Sequence, residues 1–285
     1  MKLAVIGAPT SAGAFAPGQE DAPAALRDAG LIGALRAAGH DVDDRGDTAR
    51  FRWRVDHDEP RAMNAAAVVA GARAVAEHVE AAMRAGRRPL VLGGDCTVGL
   101  GTVAGAVAAG AEPRLVYFDM HPDLNIPSSV PDGALDWTGV AHMLDVAGAD
   151  ERLAASGPRR PLLADEDVVF LGTDLNQSTP HERSLIAARG LRVLGAGHAR
   201  RAAEGGPYLV HFDVDVIDFS DAPLSENTGR GIGISFADAF AALDLLLAGD
   251  GWLGLTVTEL NPHHGAEDGS DVERFAERLA GALGA

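Results

Sequence analysis

The chain alternates between short, uniformly apolar runs and longer segments whose apolar residues are spaced three and four apart. Most of the short runs are continuous Val, Leu, Ile and Phe stretches without polar alternation, which is typical of parallel strands covered on both faces. These runs predict eight strands, over residues 2–9, 40–44, 89–95, 114–121, 167–174, 191–196, 208–215 and 252–260. The longer segments predict helices over 22–38, 62–86, 98–109, 182–189, 236–248 and 270–283.

This alternation predicts one α/β domain over residues 1–285, a doubly wound, three-layer fold around an eight-stranded, mainly parallel sheet. No internal repeat and no linker divides the sequence. The long segments 45–60, 125–137 and 218–234 contain Gly, Pro, Asp and Ser, and are expected to be surface loops or walls of a site. Ligands of such folds bind beyond the carboxyl ends of the strands, so the functional side chains are expected there.

Composition and charge narrow the functional classes. Apolar residues make up 47% of the chain, enough for a sizeable core, and no apolar window is long enough to span a membrane. The N-terminal run is interpreted as a first strand rather than a signal peptide. The single cysteine, Cys96, excludes an internal disulfide framework and is typical of a cytoplasmic protein. A net charge of -17 without a visible basic face argues against nucleic acid as a partner.

Four of the eight predicted strands end in side chains of one chemical kind. They are Asp95 and Cys96 in VLGGDC, Asp119, His121 and Asp123 in VYFDMHPD, Asp213, Asp215 and Asp218 in VHFDVDVID, and Glu259 and Asn261 in TVTELNP. Residues i and i+2 of an extended chain point to the same face, so the carboxylates within each motif project together. Such packing is unfavourable without a compensating positive charge, and few Lys or Arg lie nearby in sequence.

One or two divalent cations are the simplest compensators. A carboxyl-rich ligand set with one imidazole favours a hard ion such as Mn²⁺ over a structural zinc. Taken singly, an Asp at a strand end is more often a helix cap or a turn residue. The metal hypothesis depends on the conjunction of D-x-H-x-D after one buried-type strand and D-x-D-x-x-D after another.

In this order, G-G-D-C, D-M-H-P-D-L-N, F-D-V-D-V-I-D and T-E-L-N-P resemble the motifs of the ureohydrolases, the arginase and agmatinase family. The resemblance spans the whole chain and implies an eight-stranded parallel sheet with a binuclear metal site. It implies that Asp119 and Asp213 bridge two Mn²⁺ ions. Asp123 would bind one ion, and His121 and Asp215 the other.

The resemblance also implies the reaction, hydrolysis of a linear C–N bond in a guanidino substrate to release urea or a urea derivative. Glu259 is expected to hold the guanidinium group, and Asp123 to orient the attacking nucleophile. Asn125 matches the arginase version of its motif, in which an Asn helps to recognise an α-amino acid end. Asp174 is a further candidate for substrate binding. We also expect a homo-oligomer.

The sequence departs from the family pattern at several positions. Cys96 stands where the family has its first histidine ligand, and is expected either to coordinate or to be an inert thiol beside a weakly occupied site. Thr138 stands in place of the proton-shuttle histidine, and His142, one helical turn further on, is predicted to substitute or else to face solvent. His211, two residues before Asp213, is interpreted as a core residue or a neighbour of the ligands.

These departures leave two alternatives open. In the first, the protein is an active hydrolase, and its substrate is either an ordinary guanidine or a modified one such as N-hydroxyarginine. In the second, the protein is a catalytically weakened member of the family that binds a guanidine or a protein partner without turnover. A single-zinc amidohydrolase that uses a tyrosine is disfavoured, because Tyr117 and Tyr208 both lie inside predicted strands.

Overall fold

Eight strands form one sheet in the computed structural model, which describes residues 1–284. Every hydrogen-bonded pair of strands is parallel, and the order across the sheet is β2-β1-β3-β8-β7-β4-β5-β6. The strands are β1 (Lys2–Gly7), β2 (Asp41–Asp47), β3 (Arg88–Leu92), β4 (Arg114–Phe118), β5 (Val168–Leu171), β6 (Arg192–Leu194), β7 (Tyr208–Asp213) and β8 (Trp252–Thr258). All eight predicted strands are confirmed, as is the parallel α/β architecture.

Helices cover both faces of this sheet. They are α1 (Ala22–Asp28), α2 (Leu31–Ala37), α3 (Ala65–Arg84), α4 (Val98–Ala108), α5 (Gly139–Met143), α6 (Glu151–Ala154), α7 (Pro180–Arg189), α8 (Ala199–Ala202), α9 (Phe236–Leu247) and α10 (Ser270–Gly284). The single helix predicted over 22–38 is wrong. Gly30 adopts a left-handed backbone with φ of +84° between α1 and α2, which ends the first helix there.

Successive residues of the central strand β4 point into two separate cores. Val116 and Phe118 of β4 pack with α1, α2, α8, α9 and α10 on one face, while Leu115 and Tyr117 pack with α3 to α7 on the other. Burial on both faces explains why this strand lacks polar alternation. No helix within residues 1–284 is long and apolar enough to cross a membrane.

The edge strand β2 is acidic, and it reaches into the segment that was predicted to be a loop. Its sequence, DVDDRGD, runs to Asp47 and pairs with β1. Arg27 of α1 binds Asp44 at 2.9 Å and Asp47 at 2.6 Å. This ion pairing offsets the repulsion that acidic residues along one strand would otherwise produce.

The topology places the four strands that end in the Asp, Cys, His and Glu motifs side by side. Strands β3, β8, β7 and β4 are consecutive neighbours at the centre of the sheet. All run in the same direction, so their carboxyl ends meet at one edge. Motifs that are separated by up to about 160 residues in sequence therefore converge on one place, as the strand-end analysis predicted.

Candidate metal centre

The convergent strand ends surround a cavity of about 400 Å³. Its lining includes six of the residues singled out from the motifs, which are Cys96, His121, Asp123, Asp213, Asp215 and Glu259. Asp119 lies just beneath them and is fully buried. Most of these side chains are therefore carboxylates.

Four buried side chains form what we call the inner group. It consists of Cys96, Asp119, His211 and Asp213, whose ligand atoms lie within 4.8 Å of one another. The Cys96 thiol donates to Asp213 Oδ2 at 2.9 Å, and its Sγ lies 3.5 Å from His211 Nε2. Sulfur, nitrogen and oxygen donors thus lie around a common point near the carboxyl ends of β3, β4 and β7.

A second set, the outer group, shares Asp119 with the first. It consists of Asp119, His121 and Asp215, again with ligand atoms within 4.8 Å of one another. His121 Nδ1 lies 3.0 Å from Asp215 Oδ2 and 3.7 Å from Asp119 Oδ1. Because Asp119 belongs to both groups, two cations bound there would be neighbours that share a carboxylate.

The same local turn builds both motifs. Asp119 Oδ1 accepts from the backbone N–H of His121 at 2.6 Å, and Asp213 Oδ1 accepts from that of Asp215 at 2.6 Å. A side chain that bonds the N–H two residues on forms a tight Asx turn. The turn fixes residues i and i+2 on one side of the chain after the strand has ended.

The buried charge of the two groups fits divalent cations. Burial, and then the charges of Asp213 and Asp215, raise the pKa of Asp119 well above its ordinary value, and burial likewise raises the pKa of Asp213. Asp119 Oδ2 and Asp215 Oδ1 are buried without a hydrogen-bond partner among residues 1–284. Unpaired buried carboxylate oxygens are costly unless a cation or a donor compensates them. The residues present therefore suit a pair of metal ions.

Glu259 is held rigidly beside the inner group. Its backbone has φ of +62°, which is uncommon for a residue with a side chain. Oε1 accepts from the Cys96 backbone N–H at 2.8 Å, and Oε2 accepts from Gln19 Nε2 at 3.0 Å. Each carboxylate oxygen keeps a second lone pair. Glu259 is thus a pre-oriented acceptor in the wall of the cavity.

Asp123 lies in neither ligand group, although it lines the cavity. The Tyr117 hydroxyl donates to Asp123 Oδ2, and the Tyr117 ring stacks on His211 with centroids 4.2 Å apart. Burial raises the pKa of Asp123 to about 7. The expectation that Tyr117 belongs only to the strand core is therefore incomplete, since its hydroxyl reaches a residue of the site.

The structure does not bring three predicted residues to the cavity. Asn125 Oδ1 accepts from Ser129 and Thr179 at 3.1 and 2.9 Å, and Asp174 Oδ1 accepts from Asn176 at 2.9 Å. His142 is fully buried inside α5. None of the three lines the cavity, so their predicted roles have no geometric support.

The alternative that His142 faces solvent is wrong, because its side chain is fully buried. Its Nδ1 lies 2.6 Å from the carbonyl oxygen of Thr138, and its Nε2 accepts from the backbone N–H of Asp150 at 3.0 Å. Burial lowers its pKa to about 4. Both ring nitrogens form hydrogen bonds to backbone groups, so His142 links α5 to the turn that precedes α6.

Sequence reasoning missed several residues of the site. His211 belongs to the inner group, and Asp136, Trp137, Glu226 and His264 line the cavity. His211 shares a strand face with Asp213, and it could have been found by asking what replaces the imidazole missing at position 96. The other four come from loops, where no periodic pattern indicates which side chains turn inward.

The parallel sheet and the two adjoining ligand groups define an α/β protein with a paired candidate metal site at the carboxyl edge of its sheet. A model of the Arginase family matches residues 1–283. The chain is 31% identical to an arginase of Brevibacillus brevis, over 99% of this chain and 95% of that protein. It is 29% identical to an arginase of Bacillus subtilis strain 168, over 98% and 97%.

A solved structure agrees with the sequence comparisons. A crystal structure of an arginase from Bacillus subtilis matches with a TM-score of 0.85 at 26% identity, and the match covers 100% of this chain and 99% of that one. The chain therefore belongs to the arginase family, the ureohydrolases. The resemblance read from the motifs is confirmed, and so is the assignment of the protein as a hydrolytic enzyme of this class.

Proposed function

We propose that the protein is a metal-dependent amidinohydrolase, which hydrolyses a linear C–N bond of a guanidino substrate and releases urea or a urea derivative. The observation that carries the proposal is the pair of ligand groups sharing Asp119, with the anchored carboxylate of Glu259 in the same cavity. When bound, a pair of divalent cations lowers the pKa of water and so supplies a nucleophile near neutral pH.

The walls of the cavity suit a cationic, planar substrate. Glu259, Asp123, Asp136 and Glu226 all line it, and no Lys or Arg of residues 1–284 does. A guanidinium group offers several N–H donors in one plane, which carboxylates accept in charge-assisted hydrogen bonds. We assign Glu259 to hold the guanidinium group, since one backbone N–H and one side-chain amide already fix the direction of its carboxylate.

Asp123 is the residue we assign to orient the attacking water and take its proton. Tyr117 holds Oδ2, which leaves Oδ1 to accept a hydrogen bond. The leaving amine must then receive a proton. His264 lines the cavity with Nδ1 2.9 Å from the carbonyl oxygen of Ser225, and we assign it the proton-transfer position that His142 does not occupy.

The part of the cavity available to the far end of the substrate carries aromatic side chains. Asn125 and Asp174, the candidates for an amino acid end, do not line the cavity. Two partly exposed aromatic residues do, Phe15 at 43% and Trp137 at 38% exposure. An apolar wall of this kind accepts the methylene chain of a guanidino compound. The substrate panel should therefore vary the group beyond the guanidine and the substituent on its nitrogen.

The proposal is tested by measuring urea and substituted-urea release from arginine, agmatine and N-hydroxyarginine. The protein is first stripped with a chelator and then loaded with Mn²⁺. We expect turnover of at least one compound, none after chelation, and a loss of about 100-fold in kcat/KM for Glu259→Gln. Glu166→Gln, which lies just before β5 at the opposite edge of the sheet from the cavity, is the matched control. A fully loaded protein that turns over no guanidine would refute the proposal.

A further inference from the structure

We infer that the inner group is a sulfur- and nitrogen-donating metal site in which His211 and Cys96 together replace a ligand histidine, so that the two ions of the pair differ in kind. This inference rests on the metal-binding part of the proposed function. It gives the inner group a preference for Zn²⁺ or Co²⁺ and leaves the outer group to a harder ion such as Mn²⁺.

The contacts around Cys96 support a ligand pair. Cys96 Sγ lies 3.5 Å from His211 Nε2, and Thr258 Oγ1 lies 3.4 Å from the sulfur and 3.0 Å from the same nitrogen. When a cation takes the Nε2 lone pair, the Thr258 hydroxyl is still placed to donate to the thiolate. The separation of the four ligand atoms, at most 4.8 Å, is close to twice a metal–ligand bond of about 2.1–2.3 Å.

The surroundings make room for an imidazole at position 211. Its ring stacks on Tyr117 at an angle of 14°. On the side of Nδ1 stands Gly99, and a Cβ there would approach that nitrogen to 2.7 Å. The missing side chain of Gly99 and the flat face of Tyr117 therefore fix the ring so that Nε2 points towards the sulfur.

The donor set determines which ion suits the group. Thiolate and imidazole favour Zn²⁺ and other borderline ions, whereas carboxylates alone favour Mg²⁺ and Mn²⁺. The outer group has two carboxylates and one imidazole, while the inner group adds a sulfur to the same types of donor. Cys96 donates its proton to Asp213 Oδ2, and metal binding would release that proton and leave two anionic donors for the ion.

Cobalt serves as the probe, because a Co²⁺ ion bound to a thiolate shows a strong charge-transfer band in the near ultraviolet that oxygen and nitrogen ligands do not give. We expect this band when the chelator-stripped protein is titrated with Co²⁺. It should disappear in Cys96→Ser. In His211→Asn the band should form with an affinity about 100-fold weaker. His121→Asn, in the outer group, should keep the band at the wild-type cobalt concentration, and His142→Gln controls for losing a buried histidine.

X-ray absorption of the zinc-loaded wild-type protein tests the inference without any substitution. We expect one sulfur at about 2.3 Å and imidazole scattering from the bound zinc. Binding of two ions with no charge-transfer band and no sulfur scattering would overturn the inference and leave the proposed function standing. Equal cobalt affinity in His211→Asn and the wild type would remove His211 from the ligand set. No metal binding at either group would instead refute the proposed function itself.

Discussion

The two ligand groups share Asp119, yet their charges are balanced in different ways. In the outer group burial acts to lower the pKa of His121, but Asp215, 3.0 Å away, outweighs it and raises that pKa to about 9. In the metal-free protein His121 is therefore a cation within the group, and it would give up its proton on binding a metal ion. In the inner group burial lowers the pKa of His211 to about 3 and raises the pKa of Cys96. The inner imidazole is neutral. Of the inner carboxylates, the shared Asp119 lies 3.7 Å from His121, whereas Asp213 forms no ion pair with a protein cation within the described chain.

This difference indicates which group depends more on a metal ion. The outer group is partly neutralised by its own histidine, and burial that would raise the pKa of Asp215 is overcome by His121, so its pKa is lowered. The inner group holds Asp119 and Asp213, both with raised pKa values, and within the described chain Asp213 has no such partner. Such an arrangement costs stability and is retained where function requires it.

Asp119→Asn should have the largest effect, because it removes the one ligand common to both groups. We expect turnover to fall by more than about 1000-fold and the metal content to fall below two ions per chain. The metal-stripped variant should nevertheless be more stable than the stripped wild type, by about 2 kcal/mol, since a buried and repelled carboxylate is replaced by an amide of the same shape. Denaturant unfolding and metal analysis measure the two effects.

Asp95→Asn is the matched control for that result. Asp95 is also fully buried, but its carboxylate accepts from the backbone N–H groups of Gly13 at 2.9 Å and Thr97 at 3.0 Å. An amide there would turn a donor towards donors, so this variant should lose stability. If both substitutions shift the unfolding free energy in the same direction, the contrast between repelled and hydrogen-bonded carboxylates is wrong.

Asp123→Asn separates chemistry from metal binding. Because Asp123 belongs to neither group, we expect two ions per chain to be retained while kcat falls by about 100- to 1000-fold. Calorimetric titration with Mn²⁺ and steady-state kinetics measure the two quantities on the same preparation. A metal content that falls along with kcat would show that Asp123 is a ligand, as the family resemblance implied.

The parts of the fold that were predictable are those in which one strong physical pattern decides. The six inner strands are largely buried on both faces, so their sequences are mostly apolar, and they were found with boundaries within a few residues. Carboxylates that repeat at i and i+2 at the end of a strand project to the same side of the chain. For that reason Asp119, Asp213 and Asp215 could be placed together from the sequence.

The residues that were misplaced depend on neighbours far away in the sequence. His142 is drawn inward by the carbonyl oxygen of Thr138 and the N–H of Asp150, which no spacing rule reveals. His211 becomes a ligand candidate only once Cys96, 115 residues earlier, lies beside it. Trp137 and His264 lie on loops whose path is set by tertiary contacts rather than by periodicity.

Tyr117→Phe should have a moderate effect, because Tyr117 touches both Asp123 and the inner group. Its hydroxyl holds Asp123, and its ring supports His211 of the inner group. Phenylalanine keeps the stacking and loses only the hydrogen bond, so we expect kcat to fall by about 10-fold while cobalt affinity is unchanged. A loss of cobalt affinity in this variant would mean that the position of the ring, and with it that of His211, depends on the hydroxyl, which contradicts the separation of the two roles.

His142→Gln should have the smallest effect on turnover and a clear effect on stability. His142 lies outside both groups and does not line the cavity, so kcat should stay within about twofold of the wild type.

Because burial lowers the pKa of His142 from 6.5 to about 4, the folded state binds fewer protons than the unfolded state between those pH values. The stability it contributes is fully present above pH 6.5 and is lost as the pH falls towards 4, by up to about 3 kcal/mol. The variant lacks this titration, so the unfolding free energies of the two proteins should differ most near neutral pH and converge in acid. Unfolding in urea at several pH values measures the convergence. A large loss of turnover with parallel pH profiles would instead return His142 to the proton-transfer role first predicted for it.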